Sequence, residues 1–344
     1  MQDARPWREA WAAALYGPGG FYARGEAPAA HFRTSVHASP LFAAAIGQLL
    51  RRVDRELGEP DPLDLVDVGA GHGELLVGVA SAADAGPRER LRLTAVDVGP
   101  LDLPGVRVLR DVADVPSVTG LLIANEWLDD LPVDVVELTE AGLRTVLVDA
   151  TGVESTGDSP SGASTSWLER WWWPAGVGER AEVGVSRDDA WATAVSKLDR
   201  GVAVAVDYGH EKAARPPYGT LTGYRDGMQV RPVPDGSCDL TAHVALDAVA
   251  DAGRRAGAGD TRLSTQRAAL HALGIDGRRP PLTLASTDPP AYLAALQRAG
   301  EVAELTDPTG LGSFGWLVQA VRIPMPDWAT ATAVDGGPPL TDGG

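Results

Sequence analysis

The run Val66-Asp67-Val68-Gly69-Ala70-Gly71-His72-Gly73 sets three glycines and an acid at the end of an apolar segment. Glycines so spaced let a chain turn sharply and lay its backbone against a ligand, because no Cβ stands in the way. A helix starting directly behind them adds unpaired N–H groups and positive potential. Asp67, two residues before Gly69, can receive a ligand ammonium. Asp97 follows 26 residues after Gly71 in Thr94-Ala95-Val96-Asp97, where one carboxylate can accept both hydroxyls of a ribose. Asp111 ends Val108-Leu109-Arg110-Asp111 and is placed to accept from an adenine amine. Farther on, Asn125-Glu126-Trp127-Leu128-Asp129-Asp130-Leu131-Pro132 gathers three acids, an amide and an indole, a costly set unless it faces water or a ligand. Glu126 and Asp129 are the candidates for holding an acceptor nitrogen, because a guanidinium presents a fork of donors that carboxylates match. A plainer reading stays open for each group: a strand–helix turn with solvated acids, and an Asn and Asp that cap a short helix.

Counting separates one nucleotide site from another. A dinucleotide loop reads Gly-x-Gly-x-x-Gly, but its last position is Glu74 counted from Gly69 and Leu76 counted from Gly71. Gly-x-Gly-x-Gly preceded by an acid is instead the pattern of S-adenosylmethionine sites in class I methyltransferases, and Asp97 stands in register with it. Methyl transfer is an in-line displacement at a sulfonium carbon, so positioning and exclusion of water supply much of the rate. The protein adds groups that orient the acceptor and take its proton.

These residues need a sheet to hold them. Short apolar runs at 63–68, 91–96, 106–109, 120–124 and 202–206 read as strands, with a closing strand at 316–322. Helical periodicity alternates with them at 74–83, 188–198, 240–255, 265–273 and 290–298. Before residue 60 the chain reads as helical, with Ser39 as an N-cap, Pro40 at the first position and an end near Gly58. The expected fold is a doubly wound, Rossmann-like α/β core with an N-terminal helical segment and helical insertions. In such a sheet, ligands sit beyond the carboxyl ends of the strands, where strand order reverses. The expected division is 1–60 as the N-terminal helical segment, 61–150 with 187–323 as the core, 151–186 as a linker with a Trp-rich insertion, and 324–344 as a disordered tail. Residues 151–166 and 210–218 read as unstructured or linking.

Composition narrows the partners. Thirty Lys and Arg against forty-seven Asp and Glu give a net charge of −17, which disfavours a nucleic acid or an anionic membrane as partner. One cysteine, Cys238, excludes an internal disulfide. No apolar run is long enough to span a bilayer and the first residues lack a secretory core, so the expected location is cytoplasmic. No two of the six histidines stand at a helical ligand spacing, so no metal is expected. Trp167, Trp171, Trp172 and Trp173 cannot all point inward, which leaves a partner or homodimer surface open.

With these motifs in place, the chain resembles the MidA family of S-adenosylmethionine-dependent methyltransferases from about Leu15 to Ile323. Asn125-Glu126-Trp127-Leu128-Asp129-Asp130-Leu131-Pro132 is similar to the family's Asn-Glu-Phe-Phe-Asp-Ala-Leu-Pro. Phe21-Tyr22, His31-Phe32-Arg33-Thr34-Ser35, Ser39-Pro40-Leu41-Phe42, Asp207-Tyr208-Gly209-His210, Asp239-Leu240-Thr241-Ala242-His243-Val244 and Thr265-Gln266 follow in the family's order. Thr34-Ser35-Val36-His37-Ala38-Ser39 departs from the family's Thr-Ser-Pro-Glu-Ile-Ser and places His37 where a glutamate is expected. The resemblance implies cofactor contacts at Thr34, Ser35, Asp67, Gly69, Gly71, Gly73, Asp97, Asp111 and Asn125, with Glu126 and Asp129 at the acceptor. Because mitochondrial relatives dimethylate an arginine of a partner subunit, it implies a nitrogen acceptor on a protein. A small-metabolite methyltransferase and a non-catalytic assembly protein are the alternatives.

Overall fold

The computed structural model describes residues 4–22 and 35–327. Its centre is a seven-stranded sheet built from β1 (Leu63–Val68), β2 (Leu91–Val96), β3 (Arg107–Leu109), β4 (Val118–Asn125), β5 (Leu198–Asp207), β6 (Thr261–Thr265) and β7 (Gly315–Val321). Strand order is β6-β7-β5-β4-β1-β2-β3. The pairs from β3 through β5 are parallel, whereas β7 runs antiparallel to both β5 and β6. The chain therefore winds outward through β1, β2 and β3, then returns to the other side of β1 with β4. That reversal opens a crevice between the ends of β1 and β4.

Burial explains the unbroken apolar strands. Successive residues point to opposite faces, and each face is covered. After the N-terminal helix α1 (Trp7–Tyr16), the sheet is covered on one side where Leu65, Leu121, Ile123 and Val204 pack under Phe42, Ile46 and Leu50 of α2 (Pro40–Leu57) and Leu76 and Val79 of α3 (Glu74–Ala82). On the other, Val66, Leu122, Ala203 and Leu317 pack under Trp191 and Val195 of Val185–Ser196 and Val249 of Leu246–Arg255. The acid buried in β1, Asp64, is held by both ends of the Arg92 fork, at 2.5 and 2.8 Å, and by the Thr119 N–H at 2.8 Å. Ser39 caps α2 through Leu41 N–H at 3.0 Å, and Gly58 ends it in a left-handed turn, as its sequence predicts.

A second, antiparallel sheet stands beside the first. It contains Arg5–Pro6, Asp134–Thr139, Gly142–Val148, Glu154–Thr156 and Arg180–Val183. Periodicity did not reveal it, and three expectations are corrected here. The stretch 151–166 is not unstructured: it holds the strand Glu154–Thr156 and the start of a helix, Gly162–Trp171, capped by Ser161. The helix expected from Leu240 begins only at Leu246, because Asp239–Thr241 pairs as a strand with Thr222–Arg225. Residues 210–218 likewise contain a short strand and a turn of 3-10 helix at Lys212–Ala214. Of the tryptophans, Trp167 and Trp172 are buried and Trp173 is 49% exposed.

Candidate active site

The loops after β1, β2 and β4 leave the sheet at one level. Val96 O accepts the N–H of Gly69 at 2.9 Å and of Ala70 at 3.1 Å, so the glycine loop folds over the end of β2. A Cβ on Gly69 would stand 2.9 Å from the Trp127 side chain, which requires glycine there. Gly71 has φ of 57°, and a Cβ built on it would meet nothing nearer than Glu74 Oε2 at 3.8 Å. Gly71 therefore presents bare backbone to open space. Gly73 is the N-cap of α3.

That space is a cleft of about 630 Å³, the size range of a nucleotide-scale pocket. Gly69, Gly71, Asp97, Asp111, Glu126 and Trp127 line it, along with Tyr16 and Tyr22 from the N-terminal segment. Among the described residues, five acidic side chains line it (Asp97, Asp111, Glu126, Asp130 and Asp189) against Arg110 and His72. Asp97 accepts from Gly71 N–H at 2.8 Å and Gly99 N–H at 2.7 Å. Burial pushes its carboxyl up, and these two N–H groups hold it back. Arg110 braces the same turn through the carbonyl of Val98 at 2.9 Å. Asp111 uses one oxygen to cap the 3-10 turn at Ala113 N–H, 2.8 Å away.

Other expected residues stand behind the lining. Asp67 is 2% exposed, and burial followed by the charges of Asp97 and Glu74 pushes its carboxyl up to about 8. Asn125 donates to Glu126 Oε1 at 3.1 Å. Ser35 reaches the same oxygen with its backbone N–H at 2.9 Å rather than facing the cleft. Thr34 lies outside the described residues.

Glu126 follows β4 on a left-handed backbone, φ 51°, with its own N–H bonded to Val206 O at 2.8 Å. Such a conformation costs a non-glycine residue about 1–3 kcal/mol and persists where the surroundings impose it. Burial pushes the Glu126 carboxyl up to about 7. Asp129 lies deeper, 1% exposed, its Oδ2 accepting from Thr241 Oγ1 at 2.8 Å and from the Tyr208 hydroxyl. The N–H groups of Leu128 and Asp129 converge on Asp207 Oδ2 at 3.0 and 3.2 Å, fixing the loop.

Several further members of this site were given no site role in the sequence, although Tyr22 and Asp239 stand in segments that carry the family resemblance. Tyr22 donates to Asp130 Oδ2 at 2.5 Å, and Tyr16 to Asp130 O at 3.1 Å, so the N-terminal segment is fastened over the cleft. Asp239, fully buried, is pushed up to about 8 by burial and the neighbouring Asp129 charge. Asp129 Oδ1, Asp130 Oδ1, Asp207 Oδ1 and Asp239 Oδ2 are buried with no partner among the described residues. Nearby, Arg187 spends its guanidinium on the carbonyls of Leu131, Ala242, His243 and Asp129 rather than on a carboxylate.

The comparisons with known proteins agree with this geometry. The profile of the family described as "Putative S-adenosyl-L-methionine-dependent methyltransferase" matches residues 45–262. The chain belongs to this family. The methyltransferase is also similar to a Danio rerio protein named "Protein arginine methyltransferase NDUFAF7, mitochondrial", 33% identical over 191 residues. That match covers 52% of this chain and 42% of the relative, so the chain spans less than half of the relative's length. A crystal structure from Burkholderia thailandensis bound to S-adenosyl-homocysteine superposes with a TM-score of 0.79 at 25% identity, covering 96% of this chain and 91% of that one. A native structure from the same organism and superfamily gives 0.78 at 26% identity, over 96% and 91%. The MidA resemblance therefore holds, and the protein is an S-adenosylmethionine-dependent methyltransferase with a central mixed sheet. No helix among the described residues is long and apolar enough to cross a membrane.

Proposed function

We propose that the methyltransferase acts on a nitrogen acceptor, a protein arginine side chain, held by Glu126 and Asp129. The observation that carries this reading is Glu126 itself: a strained, half-buried carboxylate on the cleft wall, whose protein donors both go to Oε1. Oε2 takes no donor from the described residues, leaving it for a substrate N–H. A guanidinium offers donors that two carboxylates can share. The activity named for the zebrafish relative points the same way.

The cleft suits the cofactor on its own evidence. Gly69 and Gly71 give close backbone approach, Asp97 is fixed to accept ribose hydroxyls, and Asp111 keeps one oxygen for an adenine amine. Asp67, buried behind the loop with its carboxyl pushed up to about 8, would receive the methionine ammonium only on giving up its proton. When bound, S-adenosylmethionine supplies an electrophilic methyl on a positively charged sulfur. Glu126 then orients the acceptor nitrogen and takes the proton it sheds as it is alkylated. Trp127, Tyr16 and Tyr22 exclude water from the path. The proposal keeps the enzyme in the cytoplasm, although the zebrafish relative is named mitochondrial.

The test is incubation of the purified protein with methyl-labelled S-adenosylmethionine and extract of its source cells, followed by hydrolysis of labelled protein. Label recovered as methylarginine is the expected result. Label confined to low-mass metabolites overturns the protein acceptor, and label on lysine or a carboxyl overturns arginine.

A further inference from the structure

Ser35 opens a single helical turn, Ser35–Ala38, and is fully buried. It bonds in two directions. Its backbone N–H donates to Glu126 Oε1 at 2.9 Å, and its hydroxyl donates to Gln266 Oε1 at 2.9 Å. A turn of four residues has no stability of its own, so something else must fix it. One anchor is His37, whose Nε2 lies 3.2 Å from Glu74 Oε1 at the start of α3.

The stronger anchor is Gln266, 0% exposed, at the head of the helix Gln266–Ala272. Its N–H donates to Phe314 O at 2.7 Å and its Nε2 to Leu305 O at 3.0 Å. Because Nε2 is committed to a carbonyl, Oε1 must face the Ser35 hydroxyl, which leaves the amide a single orientation. Phe314 directly precedes β7, so Gln266 is fastened to the antiparallel edge of the central sheet. A continuous chain of bonds thus runs from that edge through Gln266 and Ser35 to the one Glu126 oxygen that also takes the Asn125 amide.

We propose that Gln266, acting through Ser35, is a positioning residue that turns the free oxygen of Glu126 toward the transferring methyl group. This rests on the reading of Glu126 as the acid that holds the acceptor. It assigns Ser35 to the acceptor side of the site, where the cleft itself would not have put it.

The test uses the purified full chain and two ligands, S-adenosyl-homocysteine and sinefungin, the analogue with an ammonium-bearing carbon in place of the sulfonium. The sinefungin ammonium occupies the place of the methyl group, so its preference over S-adenosyl-homocysteine reports where the Glu126 carboxylate points. By calorimetry, Ser35→Ala and Gln266→Leu should each lose about tenfold of the wild-type preference, ~1.4 kcal/mol, while S-adenosyl-homocysteine affinity stays within about twofold. Ser35→Thr, which keeps the hydroxyl, should retain the preference. Should Gln266→Leu fail to fold, Ser35→Ala decides alone. Wild-type preference in Ser35→Ala, together with its loss in Glu126→Gln, overturns the positioning role and leaves the acceptor reading intact. An unchanged preference in Glu126→Gln overturns the acceptor reading itself.

Discussion

Asp97 Oδ2 accepts the backbone N–H of Gly71 at 2.8 Å, joining the end of β2 to the middle of the glycine loop. The carboxylate expected to read a ribose is thus also the strut that keeps the loop in shape. Asp97→Ala removes both roles at once. Affinity for S-adenosyl-homocysteine should fall about 100-fold, ~2.7 kcal/mol, by calorimetry. An unaltered Kd would take Asp97 out of the site.

Gly71 tests the loop from the other side. A valine there must adopt φ near 57°, costing about 1–3 kcal/mol, and its side chain enters the open space of the cleft. Gly71→Val should keep a cooperative unfolding transition at lower Tm while losing binding by about 100-fold or more. Full affinity in that variant would show that the ligand passes elsewhere.

Chemistry and binding should separate at Glu126 and Asp129. Glu126→Gln and Asp129→Asn should each lower kcat by about 100-fold or more, with S-adenosyl-homocysteine affinity within about twofold. Burial holds the Glu126 carboxyl up at about 7, and the working form is the carboxylate. The wild-type rate should therefore rise between pH 6 and pH 8, and Glu126→Gln should flatten that limb. A rise of equal size in the variant would assign it to another group.

The buried acids set a pH dependence of stability. Asp239 has a folded value of about 8 against an ordinary 3.8, so the folded chain holds this proton more tightly than the unfolded one. Its contribution is full below about pH 4 and is lost as pH rises toward 8. Asp239→Asn should raise Tm at pH 9 by about 2–4 °C or more, and have a smaller effect at pH 5. A thermal melt showing equal shifts at both pH values would contradict this.

The central sheet was legible because its strands are buried on both faces and read as plain apolar runs. Leu63–Val68 and Leu91–Val96 match their expected bounds residue for residue. The second sheet was not, since Asp134–Thr139 mixes faces and Arg5–Pro6, which pairs with Gly142–Val148, lies far away in sequence. At the site, Gly69, Gly71, Asp97, Asp111 and Glu126 converge on one cleft from four loops, as their spacing suggested. The fastening of Tyr16 and Tyr22 over Asp130 depends on how helix Trp7–Tyr16 docks, which no local pattern encodes.

Among the described residues, five acidic side chains line the cleft against Arg110 and His72; burial pushes Glu126 and Asp130 up, and those acids that stay ionised bear on turnover. Donating its methyl costs the nucleoside its positive charge, and with it the attraction of those walls. The ionised members of that set attract the sulfonium and not the spent thioether, so what recruits the one does less to retain the other.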